Sequence, residues 1–512
     1  MRQYETFELR FQGKVLQRDW SGVDLTAEFV WGDRRRIVKG FYDGDGQYVV
    51  RFLPQASGVY TWRVTGAVTA QGFERCLPAE PGAHGLVRAV GTHFQYDDGT
   101  RYLPFGTTVY ALAHQEDALV EETLESLRNA PFNKVRLCVF PKDYDYNHNE
   151  PPCYPFHRRQ DGSWDCGRPE PVFWRRLEDI LHRIGALGIQ ADLILFHPYD
   201  RWGFASFSQR DNLRYLDYLL RRFSAIPNLW WSLANEYDLC MGSNSLSDWE
   251  EIERAVAEHD PYGHLLSCHN CFALWDFSHP AVTHASIQTR ALTEIPRWIH
   301  TWGKPVVIDE CCYEGNLPHA WGNISGREMV RRFWRCCASG AYCTHGETFL
   351  SEDEVLWWAK GGKLKGESVE RIAFLRWILE RLPGPLEPLT QGWQKLTEMA
   401  PESIARAADA VPDWQKLFYR SAARMSDQNR WAQLAGEHIW AAHCGEDAFL
   451  WFNDQQCCAE QRISLPKDKR YRVELLDPWE MTVTPLADSV SGDITLRMPG
   501  REDLALLAVR VG

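Results

Sequence analysis

The pattern of apolar and polar positions divides the chain into three segments. In the first segment, runs such as GQYVVRFLP and GVYTWRVTG alternate between apolar and polar residues, and glycine-containing turns separate them. A period of two is typical of strands with one buried face. The pattern predicts a small β-sandwich over residues 1–82, and a stretch rich in proline and glycine leads out of it.

The second segment, residues 83–400, has short apolar runs that alternate with amphipathic stretches of helical period. Eight of these runs qualify as strands, from LPFGTTVYA to AYCTHGETF. Strict alternation of strands and helices is typical of a parallel (β/α)8 barrel, the TIM barrel. An open, doubly wound sheet is the alternative, but no glycine-rich phosphate loop follows the first strand.

The third segment, residues 401–512, begins with a helical connector and then returns to alternating runs such as DAFLWFND and YRVELLDPW. These runs predict a second β-sandwich. The expected fold class is therefore α/β, a TIM barrel flanked by two small all-β sandwich domains.

Polar side chains stand at the ends of the predicted barrel strands. Barrel enzymes place their active sites at the carboxyl ends of the strands, so these residues are candidates for a site. Strand four ends in Asn235 and Glu236, and strand seven ends in Asp309 and Glu310. The other strand ends contribute Arg136, His197, His269, Asn270, Gln288, His345 and Glu347.

Glu236 and Glu310 are the candidate catalytic pair, because strands four and seven face each other across the barrel mouth. Two carboxyl groups about 5–5.5 Å apart serve a retaining glycosidase, one as nucleophile and the other as general acid and base. Asn235 would contact the sugar 2-hydroxyl, and Arg136 would keep the nucleophile ionised. A helix N-cap is the structural alternative for Asn-Glu after a strand. Asp309 should face away from Glu310 and be structural.

Composition narrows the choice of partners. The net charge of −13 argues against binding of nucleic acid. The 23 tryptophans fit carbohydrate as a partner, since sugar rings stack on aromatic faces, although most of them are expected to fill the core. No membrane span and no secretory signal are expected. The 15 cysteines are then expected to be reduced thiols of a cytoplasmic protein, and their spacing predicts neither a metal site nor a cofactor.

The strand-end motifs resemble those of clan A of the glycoside hydrolases, retaining barrel enzymes with the catalytic pair on strands four and seven. LANEY resembles the strand-four motif, which makes Glu236 the acid/base, and VVIDE resembles the strand-seven motif, which makes Glu310 the nucleophile. The runs KVRLCVF and LILFHPYD, with Arg136 and His197, resemble the strand-two and strand-three motifs of the clan.

Within the clan, FGTTVYALAHQ, VFPKDYDYNHNEP, FHPYDRWGF and THGETF are similar to the apiosidase-like barrel group. The resemblance implies an N-terminal immunoglobulin-like domain (1–82), a catalytic barrel (83–400) and a connector with a C-terminal β-sandwich (401–512). Clan members often place a tyrosine near the nucleophile, and Tyr313 is the candidate here because strand six offers Gln288. Further substrate-binding candidates are Tyr110, His114, Tyr144 and Trp357.

These observations favour a retaining exo-glycosidase of carbohydrate metabolism that removes a terminal sugar. A transglycosidase would share the covalent intermediate, and a non-catalytic carbohydrate-binding protein is the rival from another class. Long insertions after strands two and eight favour a closed pocket, with Tyr144 or Trp357 among its walls. The alternative for these insertions is that they seal a homo-oligomer interface.

Overall fold

The computed structural model describes residues 1–434 and 439–511. Its N-terminal region is all-β, and two sheets enclose a core that includes Phe29, Tyr48 and Tyr60. The first ten strands are β1 (Phe7–Gln12), β2 (Leu25–Trp31), β3 (Arg34–Lys39), β4 (Phe41–Tyr42), β5 (Gln47–Phe52), β6 (Gly58–Gly66), β7 (Ala70–Cys76), β8 (Val87–Val90), β9 (His93–Tyr96) and β10 (Arg101–Tyr102).

The central region contains the strands of a (β/α)8 barrel and two short two-stranded pairs, one antiparallel (β13 with β14) and one parallel (β20 with β22). These strands are β11 (Phe105–Thr108), β12 (Lys134–Cys138), β13 (Phe156–Arg158), β14 (Trp164–Pro169), β15 (Gln190–Phe196), β16 (Leu229–Ala234), β17 (Leu265–Ser267), β18 (Ala285–Gln288), β19 (Val306–Glu310), β20 (Glu314–Gly315), β21 (Tyr342–His345) and β22 (Glu347–Thr348).

Eight of these strands form one sheet in the order β17-β16-β15-β12-β11-β21-β19-β18. A parallel bridge between His269 and Ser286 joins the two end strands, so the sheet nearly closes into a barrel. The predicted TIM barrel is confirmed, and the doubly wound alternative is wrong. Every residue of β12, β15 and β16 is buried, as expected for a parallel sheet covered on both faces.

The helices follow the strands in the alternation that the sequence predicts. They are α1 (Asp117–Asn129), α2 (Pro171–Ala186), α3 (Gln209–Phe223), α4 (Leu246–His259), α5 (Ile295–Trp302), α6 (Gly326–Cys337), α7 (Trp357–Lys360), α8 (Ser368–Glu380), α9 (Pro401–Ala407), α10 (Asp413–Arg424) and α11 (Asp427–Leu434). Short 3-10 helices cover Leu112–His114, Phe204–Ser206, Tyr237–Cys240, Leu292–Glu294, Gly392–Thr397 and Ala408–Ala410.

The α4 helix shows how local sequence sets these elements. Ser245 and Asp248 form a capping box at its start, which satisfies amides that have no partner within the helix. Its apolar stripe buries Trp249, Ile252 and Val256, which lie three to four residues apart. Of the helices in residues 1–434 and 439–511, none has both the length and the apolar character needed to span a bilayer.

The chain forms two compact units. The first comprises residues 1–288, 304–324 and 344–366, and it contains the N-terminal sheets and most of the barrel strands. Within it, buried Asp43 binds Arg222 at 2.7 Å and Arg175 at 3.0 Å, which joins the N-terminal sheets to α2 and α3. The charges of the two guanidinium groups outweigh burial and lower the pKa of Asp43.

The second unit comprises residues 289–303, 325–343 and 367–512. The sheets of this unit enclose a core that includes Trp451, Tyr471 and Leu506. Arg335 of α6 binds Asp454 through two nitrogens at 2.7 and 2.8 Å, which fixes this helix to the sheet region. The strands are β23 (Glu387–Pro388), β24 (Ile439–Cys444), β25 (Ala448–Asn453), β26 (Glu460–Ser464), β27 (Tyr471–Asp477), β28 (Thr482–Val490), β29 (Asp493–Arg497) and β30 (Leu504–Arg510).

Candidate active site

Glu310, the last residue of β19, lies among donors from three other barrel strands and their loops. Arg136 of β12 donates from Nη1 to Glu310 Oε1 at 3.2 Å, and the Tyr110 hydroxyl donates to the same oxygen. His269 Nε2 lies 3.8 Å from it. The Tyr313 hydroxyl faces the carboxylate without forming a hydrogen bond of normal length. The surroundings of Glu310 are therefore those of an ionised carboxylate.

Glu236 directly follows β16 and binds a different set of groups. Asn235 Nδ2 donates to Glu236 Oε2 at 3.1 Å, and Gln288 Nε2 donates to Oε1 at 3.3 Å. The Tyr199 hydroxyl also donates to Oε2. Glu236 is 7% exposed and Glu310 is 8% exposed, so both carboxyl groups are largely shielded from water but still reach the surface.

Asn235 and Tyr110 connect the two carboxyl groups. Asn235 Oδ1 accepts from Arg136 Nη2 at 3.1 Å and lies 2.8 Å from the Tyr110 hydroxyl oxygen, whose single proton goes to Glu310. The Asn235 amide nitrogen donates to Glu236. Tyr110 in turn contacts Glu310. Glu236 and Glu310 thus belong to one hydrogen-bonded network that draws on four barrel strands.

The pKa values of the two carboxyl groups shift in opposite directions. Burial, and then the negative charge of Glu310, raise the pKa of Glu236 above its ordinary value. Burial also opposes ionisation of Glu310, but His269, Arg136 and the Tyr110 hydroxyl together lower its pKa. The two carboxyl groups therefore differ in acidity, with Glu236 the weaker acid of the pair and Glu310 the stronger.

His269 touches both members of the pair. Its Nδ1 accepts the backbone N–H of Glu236 at 3.4 Å, so Nε2 carries the proton that faces Glu310. Burial lowers the pKa of His269 to about 3, which keeps the ring neutral near pH 7. A neutral ring lowers the pKa of Glu310 less than a charged ring would, so Arg136 at 3.2 Å is the main cation beside this carboxylate near pH 7.

Asn270 does not contact the pair but holds Gln288 in place. Asn270 Nδ2 donates to the Gln288 carbonyl at 3.1 Å, and the Gln288 N–H donates back to Asn270 Oδ1 at 3.1 Å. This reciprocal pair joins the ends of strands five and six. It orients the Gln288 side chain that binds Glu236.

The helix-cap alternative for the Asn-Glu pair is wrong for the glutamate. Glu236 precedes the short helix Tyr237–Cys240, but its side chain makes no capping hydrogen bond. Its backbone lies in the left-handed region, with φ 56° and ψ 57°. This conformation turns the carboxylate toward the network and away from the helix amides.

Lys142 and Tyr199 complete the surroundings of the pair, and neither is among the predicted site residues, although Tyr199 follows the end of strand three. The Lys142 ammonium lies 3.7 Å from the ring centroid of Tyr110, 4.3 Å from that of Tyr199 and 4.8 Å from that of Trp358. Burial lowers its pKa, although the carboxyl groups of Glu236 and Glu310 oppose this shift. In the sequence, Tyr199 belongs to the run PYD directly after strand three, and Lys142 lies in the tyrosine-rich loop after strand two. These two features could have identified the residues as candidates for the site.

Aromatic side chains from the rim loops form a cluster beside these groups. Tyr144 lies 5.0 Å from Tyr199 and 5.5 Å from Trp358, and Trp321 lies 5.2 Å from Trp358 (ring centroids). Trp357 instead directs its indole N–H to Thr107 at 2.8 Å and is buried. Of the two adjacent tryptophans, Trp358 rather than Trp357 therefore joins the aromatic rim.

Several predicted residues lie apart from the pair. His197 Nε2 binds the Phe140 carbonyl at 3.1 Å and forms no hydrogen bond with either carboxylate. His114 is buried against Phe173. His345 and Glu347 are fully buried and lie together with Glu314. Their role in substrate binding stays a prediction.

Asp309 is structural, as predicted, but the expectation that it faces away from Glu310 is wrong. Ile287 pairs with Ile308 and Gln288 with Glu310, so the pairing skips Asp309 and strict alternation of side chains fails there. Asp309 is fully buried, and it accepts from Lys134 at 2.6 Å, Ser286 at 2.6 Å and Thr344 at 2.7 Å. Lys134 also binds Asp192 at 2.8 Å. This layer of ionic and hydroxyl groups lies inside the barrel and crosslinks five of its strands.

Comparison with protein families gives three matches along the chain. Residues 89–396 match the family described as "Apiosidase-like, catalytic domain". Residues 1–67 and 437–511 match two families described as domains of unknown function, DUF5060 and DUF5605. No curated protein matches the chain.

Among solved structures, the chain is similar to a candidate glycoside hydrolase from Bacteroides vulgatus, with 34% identity and a TM-score of 0.86. The match covers 100% of this chain and 99% of that one. A glycoside hydrolase of family 5, also from Bacteroides vulgatus, is 14% identical with a TM-score of 0.58, and the match covers 83% of this chain and 93% of that chain. The second likeness concerns the fold alone.

Proposed function

Because the chain belongs to the apiosidase-like catalytic-domain family, and so has the fold of a glycoside hydrolase, we propose that it cleaves glycosidic bonds with retention of configuration. Glu310 is the nucleophile and Glu236 is the acid/base. The enzyme releases a terminal sugar from an oligosaccharide or glycoside. The observation that carries this proposal is the opposite shift of two carboxyl groups within one hydrogen-bonded network.

In the first step, Glu310 attacks the anomeric carbon and forms a glycosyl ester while Glu236 gives its proton to the departing oxygen. Arg136 and Tyr110 hold the attacking oxygen in place. Loss of the negative charge on Glu310 then removes the main electrostatic reason for Glu236 to keep a proton. In the second step, a water molecule attacks the anomeric carbon while Glu236 takes its proton. The ester bond to Glu310 breaks, the sugar leaves with the water oxygen, and both carboxyl groups return to their starting forms.

Asn235 and Lys142 are the groups best placed to bind the sugar. Asn235 uses one amide hydrogen for Glu236 and retains a second, which suits the sugar 2-hydroxyl. The Lys142 ammonium lies against aromatic rings and makes no ion pair with the described residues. Its N–H groups can therefore donate to a sugar oxygen.

The aromatic rim supports removal of a terminal sugar. Tyr144, Trp321 and Trp358 come from the loops after strands two, seven and eight, and they pack together beside the pair. Aromatic side chains from separate loops that meet in this way close one end of a cleft. A continuous open groove would suit a polymer that threads through the site.

The test is a panel of aryl glycosides, both pyranosides and furanosides, with the product configuration followed by NMR. We expect release of the aryl group with retention, and no turnover by Glu310→Ala. Glu236→Ala should keep measurable activity on aryl glycosides with good leaving groups, since these need little protonation. Glu253→Gln, at a buried carboxylate away from the pair, is the matched control and should remain active.

Four results would contradict this function or favour another one. Inversion of configuration would remove Glu310 as a nucleophile, and so would normal turnover by Glu310→Ala. Transfer to added alcohols or sugars in preference to water would favour a transglycosidase. Binding of sugars without cleavage of any glycoside would favour a carbohydrate-binding protein.

A further inference from the structure

Glu314, His345 and Glu347 form a buried group of side chains apart from the catalytic pair. One carboxylate oxygen of each glutamate and one imidazole nitrogen all lie within 4.8 Å of one another. The three residues are 1%, 0% and 0% exposed. We call this group the Glu-His-Glu cluster.

Backbone pairing brings the two glutamates side by side. Strands β20 and β22 are parallel, and Glu314 is the register partner of Glu347. Gly366 packs closely against both side chains. A Cβ atom there would lie 2.4 Å from Glu314 Oε2 and 2.7 Å from Glu347 Oε2, so only glycine leaves room for both oxygens.

Glu347 lacks the charge compensation that a buried carboxylate normally has. It accepts the backbone N–H groups of Lys365 at 2.5 Å and Gly366 at 2.8 Å. The Lys365 ammonium instead binds Ser351 and Asp353, and no lysine or arginine in the described residues forms an ion pair with Glu347. A carboxylate buried without a neighbouring cation is costly, and a bound cation removes this cost.

His345 directs an unused nitrogen into this group. Its Nε2 is fully buried, has no hydrogen-bond partner among the described residues and lies 3.9 Å from Glu347 Oε2. Its Nδ1 lies 3.0 Å from Thr107 Oγ1, and the ring stacks on Phe132 at 4.8 Å between centroids. When Nδ1 donates its proton to Thr107, the Nε2 lone pair faces the glutamates. In metal sites, a hydrogen bond from the other ring nitrogen orients a histidine ligand in the same way.

We propose that the Glu-His-Glu cluster binds one divalent transition-metal ion, with Zn²⁺ as the best fit. One imidazole nitrogen and two carboxylates suit Zn²⁺, whereas Ca²⁺ and Mg²⁺ prefer shells made of oxygen alone. In a tetrahedral Zn²⁺ site, ligand bonds of about 2.0–2.2 Å place the ligand atoms about 3.3–3.6 Å apart. His345 Nε2 and Glu347 Oε2 are 3.9 Å apart, so binding draws the cluster inward.

The ion has a structural role. Tyr313 precedes Glu314, and Gly346, between His345 and Glu347, packs against the Tyr313 ring so closely that a Cβ there would lie 2.2 Å from it. The ion therefore crosslinks the segments after strands seven and eight. In this way it fixes Tyr313, which faces Glu310.

The experiment uses the full-length protein. Its metal content is measured by elemental analysis, and the chelator-treated protein is then titrated with Zn²⁺, Co²⁺, Mg²⁺ and Ca²⁺ while the melting temperature is followed. We expect about one Zn²⁺ per chain at saturation, a melting temperature that rises with Zn²⁺ concentration, and a Co²⁺ absorption band in the visible range. Mg²⁺ and Ca²⁺ should have no such effect.

The variants His345→Gln and Glu347→Gln should bind no Zn²⁺ and show no Zn²⁺-dependent rise. Glu253→Gln is the control, since Glu253 is also a buried glutamate beside a histidine, 3.2 Å from His279, and this variant should keep the full response. Absence of Zn²⁺ binding by the wild-type protein would overturn the proposal, whether or not the variants fold. So would an equal response in the variants or an equal response to Mg²⁺ or Ca²⁺.

Discussion

At Glu236 the backbone adopts a conformation that L-residues avoid. Its φ of 56° lies in the left-handed region, which costs a residue with a Cβ atom about 1–2 kcal/mol relative to glycine. The network around the carboxylate holds the residue there. Strain at this position is consistent with a side chain that is selected for its direction rather than for stability.

This strain predicts a difference between two variants that both lack the carboxylate. Glu236→Gly should be more stable than Glu236→Ala by about 1 kcal/mol, because only glycine adopts a positive φ without steric cost. Unfolding in urea measures the difference. Equal stability of the two variants would show that the backbone relaxes once the side chain is removed.

Tyr199 gives a second prediction at the residue scale. Its hydroxyl donates to Glu236 and thereby favours the ionised form, which lowers the pKa of Glu236 against the effect of burial. In Tyr199→Phe the pKa of Glu236 should rise. The alkaline limb of the pH–activity profile should then move to higher pH by about one unit. One pKa unit corresponds to about 1.4 kcal/mol, which is the size of a typical hydrogen bond.

Tyr144→Phe is the matched control, because Tyr144 stacks against Tyr199 but contacts neither carboxylate through its hydroxyl. Its pH profile should keep the wild-type alkaline limb. The acid limb, set by Glu310, should stay in place in both variants. A downward shift of the alkaline limb in Tyr199→Phe would contradict the role of Tyr199.

Individual residues also differ in how well their place in the site can be predicted from the sequence. Glu236, Glu310, Arg136 and Asn235 end strands or lie within them, so the strand pattern predicts that they share a rim. Lys142 lies in a long loop whose path cannot be obtained from spacing. The position of Lys142 beside the carboxylate pair therefore cannot be predicted from the strand ends.

Among the elements, the barrel strands carry an ionic layer below the rim. Lys134 of β12 binds both Asp192 of β15 and Asp309 of β19, and all three residues are buried. Removal of the ammonium would leave two carboxylates in the interior without their closest cation. A buried charge without a partner is far more costly than a missing surface ion pair.

Lys134→Met should therefore lower the free energy of unfolding by about 3–5 kcal/mol. Lys39→Met is the control, since Lys39 forms an exposed pair with Asp217 at 3.2 Å and should change stability by less than about 1 kcal/mol. Chemical denaturation of both variants is the measurement. A small effect at Lys134 would mean that Arg136, or a protonated aspartate, compensates for the missing charge.

Element-scale patterns predict the barrel well but not the Glu-His-Glu cluster. Cysteine spacing indicates no metal site, because that criterion looks for neighbouring thiols. The cluster joins Glu314 to residues more than thirty positions later, through two strands of only two residues each. Strands this short leave no periodic signal.

At the scale of the whole molecule, the chain passes several times between its two compact units. The second unit takes residues 289–303 and 325–343 from within the barrel sequence and combines them with residues 367–512. A single cut in the chain therefore cannot separate the units. Deletion of 367–512 would leave two segments without the rest of their unit.

The fragment 1–366 should accordingly fail to fold as a cooperative body. We expect low solubility or no sharp thermal transition by circular dichroism, with the full-length chain as the reference. A soluble fragment that melts cooperatively and cleaves glycosides would show that residues 367–512 are dispensable for the barrel.

The sequence by itself determined the barrel with its all-β ends and the polar groups on its rim. These features follow from local periodicity and from the direction of strands, both of which are recorded in neighbouring residues. The tertiary structure alone decided which polar groups contact one another. Tyr110 meets Asn235 across 125 positions, and Thr107 meets His345 across 238. Contacts over such separations depend on how strands are arranged in space and on how loops pack, and no local pattern encodes either.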